Sequence, residues 1–158
     1  MMPEGLYETD ALAWSEHQAE LLGRMAAGER LNGDVDWSNV IEEVHDVGSS
    51  QLRACNGLLR QAMLHLLKLK AWPGSQAARH WHQEAGNFLD DAAASFSPTM
   101  RQRIDLGELY GRALRRAASM TDDAGEANPL PQTCPFMLDA LLAGDVAQLL
   151  AALDGPPA

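Results

Sequence analysis

Asp36-Trp37-Ser38-Asn39-Val40-Ile41-Glu42-Glu43-Val44-His45-Asp46-Val47, continuing without a change of phase to Leu69-Lys70-Ala71-Trp72, is the stretch whose reading decides the fold. At about 100° per residue, Val44, Val47, Cys55, Leu58, Ala62, Leu66 and Leu69 fall within roughly 60° of one line along the helix. Ile41, Leu52 and Leu59 widen this stripe, and Glu42, Asp46, Arg53 and Arg60 occupy the far side. The phase survives Gly48-Ser49-Ser50, although glycine costs about 1 kcal/mol inside a helix. The reading is one long helix over about 36–71, with a bend allowed at Gly48. Asp36 or Ser38 caps its start, and Trp72-Pro73-Gly74 stops it.

Around that helix the chain punctuates itself into further amphipathic segments. Tyr7-Glu8-Thr9-Asp10 opens the first helix, which carries Trp14, Leu21, Leu22 and Met25 on one face and stops at Gly28. Asn32-Gly33-Asp34 reads as a turn. Ser75 caps a helix bearing Trp81, Ala85, Phe88, Leu89 and Ala92, and Ser97-Pro98 repeats the start signal for a short helix to about Ile104. From Asp105 a longer helix buries Leu106, Leu109, Tyr110, Ala113, Leu114 and Ala117. The stretch 122–133, with Gly125, Asn128-Pro129 and Pro131, leaves helix. Cys134-Pro135 then begins a short helix, and Val146 to Leu153 docks as the last. Nothing alternates like a strand. The expectation is an all-α helical bundle built around the long central helix, a single domain over 1–158 with flexible ends at about 1–6 and 154–158.

Composition narrows the function classes. The chain has 158 residues, with 22 acidic against 12 basic side chains and a formal charge of −10. That balance argues against general duplex binding, which needs clustered Lys and Arg. Cys55 and Cys134 form no spaced framework and read as thiols in a reducing compartment. No uninterrupted apolar run approaches the roughly 18 residues of a membrane span. The expected setting is cytoplasmic, with no membrane partner.

Several residue groups carry possible chemistry. Glu42-Glu43-Val44-His45 has the Glu-x-x-His spacing of carboxylate-bridged di-metal bundles, but no second copy exists, and Glu42 falls away from the stripe. His65 lies on the apolar face, where an imidazole needs a hydrogen-bonding partner. It reads first as a satisfied core histidine, and otherwise as a ligand or general base. In His80-Trp81-His82-Gln83-Glu84 only His80 and Glu84 share a helix face. Thr133-Cys134-Pro135-Phe136 reads first as a capping and docking sequence whose phenylalanine enters the core, and otherwise as a helix N-terminus that favours the Cys134 thiolate, with His65 as its only apolar-face base. The arginines at 101, 103, 112, 115 and 116 offer an anion site if they converge, with Glu108 four residues before Arg112 as an ordinary surface pair.

The order of these motifs resembles the bacterial helical family known as domain of unknown function 29. The matching pieces are Leu6-Tyr7-Glu8-Thr9-Asp10 with Trp14, Ile41-Glu42-Glu43-Val44 followed by Gly48, Leu64-His65-Leu66-Leu67-Lys68, Trp81, Ser97-Pro98 and Thr133-Cys134-Pro135-Phe136. The resemblance implies a bacterial, largely α-helical protein of no established activity. It marks Glu42, Glu43, His65, Lys68, Trp81 and Cys134 as candidate functional positions, without separating packing from function. No catalytic residue, metal or cofactor is assigned. The expectation is a non-catalytic helical interaction or scaffold protein, a homo-oligomer with a dimer favoured, or one acting beside another protein. The alternatives are a small thiol- or metal-dependent hydrolase using His65 with Cys134 or a carboxylate, and an anion or nucleic-acid adaptor using the Arg101–Arg116 region.

Overall fold

The structure, a computed structural model, describes residues 5–31 and 33–155. The turn residue Asn32 and the outermost expected flexible ends, 1–4 and 156–158, lie outside the described residues. Among the described residues the chain is all-α, with no strand beyond an isolated bridge between Asp122 and Gly125. The α-helices are α1 (Leu6–Thr9), α2 (Ala11–Ala26), α3 (Trp37–Ala71), α4 (Ala78–Ser95), α5 (Leu106–Ala118), α6 (Leu138–Ala143) and α7 (Val146–Leu153). A 3-10 helix, Pro98–Gln102, follows α4. The long helix predicted over 36–71 is present, and Gly48 does not interrupt it.

Aspartates start most of these helices. Asp10, Asp105 and Asp145 each accept a bond from a first-turn amide, of Ala13, Glu108 and Gln148 respectively, which satisfies one of the donors a helix start leaves open. Asp36 does the same for α3 through the amide of Asn39 at 3.4 Å. Asp10 also divides the expected first helix into the single turn α1 and the longer α2. Gly28, at φ 92°, closes α2 in a conformation that side chains with a Cβ rarely adopt.

The chain forms two compact units, residues 1–50 and 51–158, with the boundary inside α3. In the first, Trp14 and Leu21 pack with Val35 and Val40, and Tyr7 meets Trp14 edge-on at 4.8 Å. In the second, Cys55, Leu59, Ala62, Met63, Leu66 and Leu67 of α3 are fully buried with residues of α4, α5, α6 and α7. Tyr110 fixes the irregular stretch by donating to the Pro131 carbonyl at 2.6 Å. Trp72 similarly donates to the Gly125 carbonyl at 3.0 Å.

Three expectations about local structure are corrected. Ser75 does not cap α4, because its hydroxyl donates to Asp122 and accepts from the Ala77 amide, holding the turn before the helix. Ser97-Pro98 does start a helix, but a 3-10 one without a side-chain cap. Ile41, Val44 and Val47 do not join the buried stripe and are 64, 71 and 59 % exposed. The core of the first unit is closed by Val35 and Val40 against α2, and these three side chains stay outside it.

Candidate functional site

In the second unit, α3 and α4 run antiparallel, as their contacts show. The Cys55 thiol faces the Ala92 carbonyl, His65 packs on Phe88 at 5.4 Å, and the Lys68 ammonium lies 4.4 Å over the Trp81 ring. The seam therefore brings His65, Lys68 and Trp81 together, with Glu84 one turn before Phe88 on α4. His65 is half-buried, and its Nδ1 is 2.8 Å from the Gln61 carbonyl. A carbonyl only accepts, so the proton sits on Nδ1 and Nε2 is left as the acceptor. Burial pushes the His65 pKa down. The Gln61 bond opposes that shift, and the nearby Lys68 charge adds to it. Burial also lowers the Lys68 pKa, against the pull of Asp122. The arrangement offers a neutral imidazole beside an ammonium held on an indole face. Among the described residues, no three His, Cys, Asp or Glu side chains are placed to hold a metal ion.

Glu42 and Glu43 lie in the first unit. Glu43 accepts a 2.7 Å bond from the Tyr7 hydroxyl, and that bond is the main cause raising the Tyr7 pKa to about 12. Asp36 nearby accepts from the Asn39 side chain at 2.7 Å and from the Trp14 indole at 3.1 Å. The Asn39 bond leads in holding its carboxyl below the usual range. Gln18, almost fully buried, accepts from the Asp36 amide at 2.9 Å. Three sequence-distant segments are thus tied by polar side chains. Glu42 lines an open cleft of about 810 Å³ with Glu8, Asp34, Asp36, Tyr7 and Trp14.

Cys134 is not at a helix N-terminus. Phe136 is drawn into the core edge-on to Tyr110, Met137 is extended, and α6 begins only at Leu138. The Cys134 thiol is half-buried beside the Phe136 carbonyl, and burial pushes its pKa up rather than down. His65 bonds the Gln61 carbonyl instead of this thiol. The arginines are partly engaged with acidic neighbours. Arg101 pairs with Asp139 at 2.8 Å, and Arg112 lies 3.8 Å from Glu108.

The feature that the candidate residues did not include is a solvent-facing apolar row on α3. Trp37 is 49 % exposed and shares one helix face with the exposed Ile41, Val44 and Val47. This row belongs to a strongly acidic unit. Residues 1–50 hold eleven Asp and Glu against two Arg, a formal −9, whereas residues 51–158 hold eleven against ten basic residues, a formal −1. One of the two arginines, Arg24, is paired with Glu29. A count of charges by segment was the available sequence signal for this polarity.

The sequence model described as Domain of unknown function DUF29 matches residues 6–146. No curated protein matches the chain. Among solved structures, the chain is similar to an α-helical protein of unknown function from Rhodospirillum rubrum. The two are 27 % identical with a TM-score of 0.69, and the alignment covers 95 % of this chain and 98 % of that one.

Proposed function

The chain belongs to the domain of unknown function family DUF29, and we propose that it is a non-catalytic helical interaction protein, acting as a homo-oligomer or beside another protein. One observation carries this reading: Trp37, Ile41, Val44 and Val47 leave an apolar helix face open to solvent. Large apolar side chains scattered singly are normal on a surface, but a contiguous row on one helix face is the pattern of an interaction site. The role needs no cofactor, nucleic acid or lipid. No described helix is long and apolar enough to cross a membrane, and both cysteines are free thiols, which supports a cytoplasmic setting.

The test is native mass spectrometry of the tag-free chain, alone and after a chelator, beside a Val44→Glu variant. A defined protein complex that the variant loses supports the interaction role. A retained metal or small molecule would overturn it. A second reading, a small enzyme, draws on the free Nε2 of His65 beside Lys68. It requires a bound species that His65→Gln loses while the fold is kept.

A further inference from the structure

At the α3–α4 seam the imidazole already has the Gln61 carbonyl, the ammonium already has the Trp81 face, and the two thiols lie against carbonyls. The exposed row of α3 has no such closure, and its own sequence specifies what fits it. Trp37, Ile41, Val44 and Gly48 follow one another at steps of four, three and four residues. These are the steps at which one helix receives the side chains of another at a shallow angle. At one end stands an exposed indole, the largest of the side chains. At the other end, about 16 Å along the axis, Gly48 has no side chain at all. A Cβ placed there would meet nothing within 4 Å. Nothing packed inside the chain therefore calls for glycine at this helix-interior position, where it is a poor helix former.

We infer that this row docks on the same row of a second copy of the chain, the two α3 helices running antiparallel about a two-fold axis between Ile41 and Val44. The inference rests on the interaction reading above and names its partner. Antiparallel pairing sets Trp37 of one copy over Gly48 of the second copy and Ile41 against Val44, and the two-fold axis makes each contact twice. The indole fills the notch that the missing side chain leaves. Parallel pairing would set indole against indole and glycine against glycine, crowding one end and leaving a gap at the other. The positions that border the row between Trp37 and Gly48 are Ser38, Val40, His45 and Val47, none of them a carboxylate. Glu42 and Asp46 fall on the far side of the helix, and Glu43 is held by the Tyr7 hydroxyl. No like charges meet in the contact. So short a contact, below the size of a standard interface, makes a reversible dimer that dissociates on dilution and leaves the row open in the single chain.

The test is sedimentation velocity of the tag-free full chain over a range of concentrations. A monomer–dimer equilibrium is expected, and added salt should not weaken it, because no ion pair crosses the contact for salt to screen. Trp37→Ala, which removes the indole, and Gly48→Trp, which fills the notch, should each weaken pairing by at least about tenfold. Trp37→Ala combined with Gly48→Trp exchanges indole and notch, and should recover most of the parent affinity. The direction of pairing is read by mixing Trp37→Cys chains with Gly48→Cys chains under mild oxidation. The mixture should give a disulfide-linked dimer that neither variant gives alone, nor the parent with its own Cys55 and Cys134. The open space at Gly48 admits the larger side chains within one copy, and far-ultraviolet circular dichroism checks each fold.

A dimer that keeps its affinity in both single variants, or that the combined variant fails to recover, would overturn the inference. So would a dimer that Val44→Glu dissolves but that gives no mixed disulfide, and the interaction reading would then stand. A chain that stays single at every concentration, yet loses a complex with another protein on Val44→Glu, would overturn the second copy and keep the interaction reading. A chain that pairs with nothing would remove both.

Discussion

The two halves of α3 follow one helical pattern and meet opposite fates. Trp37 and Cys55, Ile41 and Leu59, and Val44 and Ala62 are each eighteen residues apart, which is about five full turns, so each pair holds the same phase of the helical pattern. Leu59 and Ala62 are fully buried, whereas Ile41 is 64 % and Val44 71 % exposed. Periodicity therefore specifies a face but not what covers it. In the second half the cover comes from α4 to α7, and in the first half the row remains open.

The largest test of that contrast replaces both members of one pair. Leu59→Ala should cost about 2–5 kcal/mol, from lost burial and an unfilled cavity. Ile41→Ala should stay within about 0.5 kcal/mol. Urea unfolding of the two variants measures both. An Ile41 loss approaching the Leu59 loss would mean that the first-half face is covered in solution by something the isolated chain supplies, and would break the comparison.

A smaller effect separates the two tyrosines. Both have pKa values raised to about 12, Tyr110 chiefly by burial and Tyr7 chiefly by its bond to Glu43. Tyr110→Phe should cost about 1 kcal/mol by leaving the Pro131 carbonyl without its donor. In an absorbance titration of the native chain, neither tyrosine should ionise at the ordinary value near 10. Glu43→Ala should return one of them to that range and leave the other. A titration in which both move would show that Glu43 acts on the fold as a whole rather than on Tyr7.

The legible parts of the molecule were those encoded over a few residues. The cap at Asp36, the helix start at Asp105, the stop after Ala71 and the phase of α3 all follow from short-range rules. Cys134 shows where such rules fail. Pro135 looks like a first helical residue, but Phe136 is buried and α6 begins only at Leu138, so Cys134 lacks the helix N-terminus expected to activate its thiol. The candidate site was legible in composition but not in pairing. Lys68 and Trp81 were both picked out, yet nothing short-range places one over the other, and the Tyr7–Glu43 bond spans 36 positions.

The smallest predicted effect tests the seam itself. The folded chain favours neutral His65, mainly through burial, so its pKa lies below the unfolded value of about 6.5. Above that pH the imidazole is neutral in both states, and its contribution to stability is fully present. As the pH falls below about 6.5 the unfolded chain binds the proton first, stability declines, and the loss is complete once the pH has passed the folded pKa. His65→Gln keeps a donor for the Gln61 carbonyl but removes the titration. Its urea stability measured from pH 7.5 downward should decline less steeply than the parent's across this window. Parallel curves would mean that His65 is as hydrated in the folded chain as in the unfolded one, and that the α3–α4 seam is more open than its packing on Phe88 implies.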